Sequence, residues 1–179
     1  MKTPGNNNNM YVEAKRRALA PYASAMEGPV DAAVCVAYAD ELPAAARTAL
    51  AAACAGIGLD EPVFLDVRAA AGAGVASGTG AHEVAGEGAD HAVARQVHKN
   101  LFAAVEALDS LMLVLADGAA ARLVQDAYRE PVALNAHGFV FGRAYAAFSS
   151  FARDLADPRM KQRDWAVLKA MRKSDSWLK

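Results

Sequence analysis

The chain has 179 residues, 54% of them hydrophobic, and a formal net charge of -1, the proportions of one compact domain with a single sizeable core and little room for a second. That near-neutral balance excludes a polycationic coat for nucleic acid, and two cysteines in apolar context, Cys35 and Cys54, exclude a disulfide framework and point to a reducing compartment. No apolar run approaches the ~20 residues of a membrane span, and the basic-then-apolar layout of a signal peptide is absent, so no membrane contact and a cytoplasmic location are expected.

Residues 1–9 end in four asparagines, carry no apolar anchor and read as a disordered tail ahead of a domain spanning 10–179. Residues 10–26 have helical spacing interrupted at Pro21, with Lys15, Arg16 and Arg17 on the wet face. The run VDAAVCVAY (30–38) has the composition of a strand buried on both faces of a parallel sheet. An alanine-rich helix over 44–55 follows Pro43 and stops at Gly56 and Gly58, and VFLDV (63–67) is the second strand. Between 69 and 88 lie six of the thirteen glycines with almost no large apolar side chain, which predicts a flexible loop at about 69–90. Val93, Val97, Leu101 and Val105 then mark a helix over 91–108. LMLVL (111–115) is the third strand, 118–128 a helix stopped before Pro131, and 139–148 a turn around Gly142 with a fourth strand. A closing helix over 158–173 has proline at its start. Strands alternating with helices of these lengths predict a three-layer α/β/α sandwich with a central, mostly parallel four-stranded sheet.

The last third carries a fixed order of short signatures: the strand 111–115, Gly118-Ala119-Ala120-Ala121, His137-Gly138, Asp157-Pro158-Arg159-Met160-Lys161 and Trp165. That order resembles the C-terminal half of the uracil-DNA glycosylase superfamily, closest to its family 4 branch. There an apolar strand leads into a Gly-x-x-Ala helix, an Arg-Gly turn, a strand ending in His-Pro-Ser, and a helix reading Pro-x-x-Lys-x-x-x-Trp-x-x-Leu-Lys. Upstream, residues 34–38 stand where the family has Val-x-Val-Gly-Glu-x-Pro-Gly, and Gly56-Ile57-Gly58-Leu59 matches its Ile-Gly-Leu turn. The similarity touches most of residues 30–173.

The resemblance implies a scaffold without its chemistry. Base excision needs a pocket for a flipped base, a group that positions water, and a donor for the departing base. Tyr38 stands at the glutamate position; Asp40 or Glu41 could replace it, or both simply favour the start of the helix after Pro43. The segment carrying the base-stacking aromatic is missing. Asp66 aligns with the base-reading asparagine, and as a carboxylate it accepts but does not donate. It contacts a ligand at the strand end or caps a local turn. Ser150 occupies the histidine position, and a neutral hydroxyl answers developing charge less well than imidazole. His137 replaces the Arg before Gly138, either as an imidazole from another direction or as a surface residue. Family 4 members hold an iron–sulfur cluster on four cysteines; two cannot carry it, so no cofactor is expected.

Metal spacing fails as well. His91 and His98 stand about 10.5 Å apart along one helix, too far for both to ligate one ion, and His82 in the glycine-rich segment could reach either of them. Gly72-Ala73-Gly74 and Gly78-Thr79-Gly80 complete no phosphate-loop pattern. From Arg143 onward, nine Lys/Arg face four Asp/Glu, an excess of +5 that leaves -6 for the rest. Arg153, Arg159, Lys161, Arg163 and Lys169 are therefore the candidate phosphate contacts, against the alternative of a solvated amphipathic helix.

Three function classes are expected to compete: a non-catalytic module binding DNA, a nucleotide or a protein; an enzyme of altered chemistry on a base or nucleotide, using Tyr38, Asp40, Glu41, Asp66, His137 or Ser150; and a self-associating scaffold. DNA binding is expected to be weak, because the rest of the chain is acidic.

Overall fold

In the computed structural model, residues 7–73 and 87–174 are described, with side chains from 10–73 and 92–173. Six strands form one mixed sheet: β1 (Met26–Glu27), β2 (Val34–Tyr38), β3 (Val63–Asp66), β4 (Met112–Leu115), β5 (Ala136–Val140) and β6 (Arg143–Ala147), in the spatial order β1-β3-β2-β4-β6-β5. The inner four run parallel, while β1 pairs antiparallel with β3 and β5 antiparallel with β6. The molecule is thus an α/β protein with a mostly parallel sheet and flanking helices.

The sheet has six strands where the sequence predicts four. The two additions are antiparallel edges. β1 is only two residues long, at the end of the segment expected to be helical. β5 contains His137 and Gly138 and alternates between exposed and covered positions, so neither has the apolar run that marks a buried strand. The expected turn around Gly142 joins β5 to β6, with Phe141 and Gly142 both at positive φ.

Each inner strand divides its side chains between two cores. Cys35, Ala37, Val63, Leu65, Leu113 and Leu115 face one side with residues of α3 (Val67–Gly72), α4 (Glu87–Leu108) and α5 (Gly118–Tyr128). Val34, Val36, Phe64, Met112, Val114 and Phe148 face the other, with residues of α2 (Ala44–Gly56), α6 (Phe151–Asp154) and α7 (Pro158–Ser174). Helices on both faces explain why these strands read as continuous apolar runs.

Two further segments differ from expectation, while the break at Pro21 falls where the spacing places it. Asn7–Asn9 belong to α1 (Asn7–Leu19), so helix reaches into the segment predicted as tail; residues 1–6 lie outside the described region. Helix α1 gives way to a tighter 3-10 turn, Ala20–Ala25, with Pro21 in its first turn. Helix occupies both ends of the segment expected to be a glycine-rich loop, because 67–72 form α3 and 87–90 open α4; residues 74–86 lie outside the described region. Helix α3 is anchored at its start by Val67 and beyond it by small residues: Val67, Ala70 and Ala71 are buried, and Asn100 Nδ2 donates to the carbonyls of Ala71 and Ala73 at 3.0 and 2.6 Å. In α4, Leu101 and Val105 are buried as the periodicity predicts, but Val93 is exposed.

Both cysteines lie inside. Burial pushes the Cys35 thiol up to about 12, against a smaller opposing pull from Arg143, and burial pushes Cys54 up to about 11. Thiolate is the reacting form, so neither thiol should react with an aromatic disulfide reagent near pH 8 until the protein unfolds. Stoichiometric labelling of native protein would contradict this. A second expectation concerns Gly138, where an added Cβ would sit 3.0 Å from the Tyr145 ring. Tyr145 is buried and accepts a hydrogen bond from the Ala133 N–H. Gly138→Ala should therefore cost about 1–3 kcal/mol in urea denaturation.

Candidate functional site

Strand order reverses beside β2: the chain passes from β2 to β3 on one side, then returns by way of α3 and α4 to β4 on the other. Open α/β sheets bind ligands at the carboxyl ends of strands flanking such a reversal. The residues that gather here include most of the predicted candidates.

The crevice is stapled by a residue the sequence reading passed over. Asp117, directly after β4, is 6% exposed. Its Oδ2 accepts from the N–H groups of Ala39 and Asp40 at 2.9 and 3.2 Å, while Oδ1 accepts from Ala120 N–H at 2.7 Å. One carboxylate thus caps α5 and fastens the loop leaving β2. Its backbone bridges Ser150, the N–H of Gly118 donates to the Ser149 carbonyl, and that of Phe151 to the Ala116 carbonyl. The β6–α6 turn is held to the same point. An Asp ahead of Gly118 in an alanine-rich helix start was a readable N-cap signal. Its bonds to residues 39 and 40, nearly eighty positions away, had no local trace.

The predicted candidates take up positions around this staple. Tyr38 ends β2 opposite Asp66 of β3. Its hydroxyl accepts from Arg47 Nη2 at 2.9 Å, and the Arg47 guanidinium also lies 4.8 Å from the Tyr38 ring centroid and 5.2 Å from that of Phe64. Asp40 is exposed and pairs with Arg68 at 3.0 Å; Glu41 is exposed. Asp66 caps α3, accepting from the N–H groups of Arg68 and Ala69 at 2.9 and 3.0 Å, the local of its two expected roles. Ser150 precedes α6 without forming a side-chain cap. His137 sits apart on edge strand β5, exposed, in register with Ala146, rather than in a turn.

The backbone therefore brings Tyr38, Asp40, Asp66 and Ser150 to one sheet edge. Their chemistry is largely absorbed by the fold. Among the described residues no buried side-chain polar atom lacks a partner, and no cluster of three His, Cys, Asp or Glu side chains could hold a metal ion. His82, the side chain of His91 and the 78–80 glycine pair lie outside the described residues. Beside the staple a shallow cavity of about 320 Å³ is lined by Gly118, Arg122, Gln125, Leu134 and Ser149.

The five candidate phosphate contacts divide. Arg163 is engaged inward: its guanidinium meets Asp154 at 2.6 Å and the buried Asp164 at 2.8 Å, clamping α6 to α7. The Asp164 hydrogen bond is the main influence raising the Arg163 pKa, outweighing the opposing effect of desolvation. Arg153, Arg159, Lys161 and Lys169 are exposed, and Lys169 Nζ also lies 5.0 Å from the Trp165 ring centroid. Arg172 and Lys173, not among the predicted contacts, join them. Arg159, Lys161, Lys169, Arg172 and Lys173 fall within about 160° of the α7 circumference at 3.6 residues per turn. They are the only exposed ionisable groups on the described part of that helix.

Comparison of the chain with protein-family models, curated proteins and solved structures gives no match.

Asp117→Ala would leave three backbone N–H groups without their acceptor. A loss of about 3 kcal/mol is expected in urea denaturation, with hydrogen-exchange protection falling first at Ala39, Asp40 and Ala120. A change within error of zero would show that the staple is dispensable.

Proposed function

We propose that this chain is a diverged, uracil-DNA-glycosylase-like protein without glycosylase activity, serving as a sequence-independent binding module for nucleic acid through phosphate contacts on α7. The observation that carries this reading is the outward face of that helix, where Arg159, Lys161, Lys169, Arg172 and Lys173 are exposed and the nearest exposed acid in sequence is Asp157, just ahead of the helix, where it accepts the Arg159 N–H at 2.8 Å. Helix stability explains Arg172 and Lys173, since cations favour a C-terminal turn. It does not explain Arg159 and Lys161, which lie near the positive end of the helix dipole, where acidic side chains are favoured; the Asp157 cap supplies one carboxylate there, and the first turn adds none. A phosphate backbone running along the helix would offset that cost. Arg153 is exposed on the neighbouring α6.

Catalysis is the weaker reading. Tyr38, Asp40 and Asp66 are engaged by Arg47, Arg68 and the α3 backbone, respectively. The position that would require an imidazole is Ser150, and His137 lies on the far edge strand. Exposed Glu41 is left as a candidate for water activation, while leaving-group stabilisation would fall to the neutral Ser150 hydroxyl.

Binding should be weak at moderate salt, because the basic face is backed by an acidic remainder. Fluorescence anisotropy with labelled single-stranded DNA should give a log–log salt slope of about -3 if roughly four phosphates are contacted. The double substitution Arg159→Glu with Lys161→Glu should weaken binding at low salt at least about tenfold, roughly 1.4 kcal/mol. Uracil excision should be undetectable in the same preparations. Binding that ignores both salt and charge reversal would remove α7 from the proposal, and measurable excision would overturn the non-catalytic assignment.

A further inference from the structure

On the opposite face of the sheet from α7, α4 and α5 leave a groove between them. One part, about 200 Å³, is lined by Arg95, His98, Lys99, Phe102, Asp126 and Arg129. It continues into a wider, open part of about 420 Å³ that shares His98, Asp126 and Arg129. Three permanent cations and one imidazole thus share this space with the Phe102 ring and with two carboxylates, Asp126 and, in the wider part, Glu130.

Backbone strain marks the same place. Arg129 follows α5 in the left-handed conformation, φ 57°, ψ 31°, a position where glycine is ordinarily found because a Cβ is disfavoured there. Nearby, Phe141 also has positive φ, at 49° in the first position of its two-residue turn, where Asn, Asp or Gly is the usual choice. Its ring lies 5.8 Å from Phe102 and 6.0 Å from Tyr128, measured between centroids. Neither strained residue is needed to make its turn, since a glycine would do so at lower cost. Strained positions held by their surroundings concentrate at ligand sites.

We propose that this groove binds an organic phosphate of nucleotide size, with its phosphate on Arg129 and Lys99, its apolar body against Phe102, and a neutral hydroxyl or amino donor on Asp126. A bare inorganic anion fits the cations but not the rest: it would leave the Phe102 wall wet and bring like charge to Asp126. A purely apolar ligand would bring no anion to Lys99 and Arg129. A molecule with an anionic end and a donor-bearing neutral end satisfies both, and the volume is in the range that small-molecule sites occupy. The site is independent of the α7 surface, because the two lie on opposite faces of the sheet.

Isothermal titration of the full chain with adenosine 5'-monophosphate, inorganic phosphate and adenosine tests this directly. The nucleotide should bind saturably at one site, phosphate more weakly, and adenosine not measurably. Lys99→Ala should reduce nucleotide affinity about tenfold, the loss of one charge-assisted contact. Arg129→Gly should reduce it similarly while raising the thermal midpoint, a combination that a purely structural arginine would not give. The α7 double substitution should leave nucleotide binding unchanged. Failure of the nucleotide to bind, equal binding by adenosine, affinity unchanged from the wild type in Lys99→Ala and Arg129→Gly, or loss of binding in the α7 variant would each overturn the assignment.

Discussion

A buried carboxylate at the point of strand reversal governs the organisation of this sheet edge. Asp117 accepts three backbone N–H groups from two segments far apart in sequence, and its own backbone pairs with the turn after β6. Hydrogen bonds to an ionised acceptor are stronger than neutral ones, and a buried charge without such partners would be prohibitive. With them it becomes a three-way junction between the loop after β2, the start of α5 and the start of α6. The same arrangement settles the character of the crevice. Where an α/β sheet ordinarily opens a ligand site, this chain supplies its own anion and occupies the backbone donors that an incoming ligand would use.

How far the sequence reveals this architecture depends on whether each signal is local. Strands β2, β3 and β4 are legible because burial on both faces leaves no polar position to break the run. β5 is not, because an edge strand tolerates His137 outward and requires Gly138 against Tyr145, and that pairing exists only in three dimensions. Helix α3 misleads for a related reason: alanine and glycine look too small to anchor anything until Asn100 is placed beside them. Of the site residues, Asp66 follows the alternative that needs only its neighbours, a cap two and three positions ahead. The Tyr38–Arg47 contact also falls within one strand–helix unit, yet nothing in composition announces a cation against an aromatic ring.

Charge shows the gap between counting and placement. Arg163 contributes to the basic excess of the C-terminal region exactly as Arg159 does in a count, but Asp154 and Asp164 turn it into an internal clamp. Burial is the main reason the Asp164 carboxyl is shifted up; Arg163 partly opposes that shift. Removing Arg163 from the surface tally does not weaken the outer face of α7, because Arg172 and Lys173 extend it by one more turn. What remains is a separation: Asp154 and Asp164 fasten α6 to α7 on the inside, and outside, past the Asp157 cap, the exposed charges on the described part of the helix are cations.

The amino edge of the sheet poses the complementary question, how a fold tolerates strained residues there. Asp109, Arg129 and Phe141 all have positive φ, each at the end of α4, the end of α5 or the turn entering β6. Beneath them lies a connected network. Arg143 donates to the Ser110 carbonyl at 2.6 Å and to Glu106 at 2.8 Å, and Tyr128 donates to Glu106 as well. Burial, reinforced by Glu106, raises the Tyr128 hydroxyl well above its ordinary range, so it remains a protonated donor. This network ties α4, α5 and β6 together before any of the three strained turns is considered, and Glu130 adds a hydrogen bond from the Phe141 N–H at 2.8 Å. Strain of about 1–3 kcal/mol per residue persists only where the surroundings over-determine the backbone. Here the over-determination is visible atom by atom, and it leaves the side chains of Arg129 and Phe141 directed by the fold rather than by their own conformational preference.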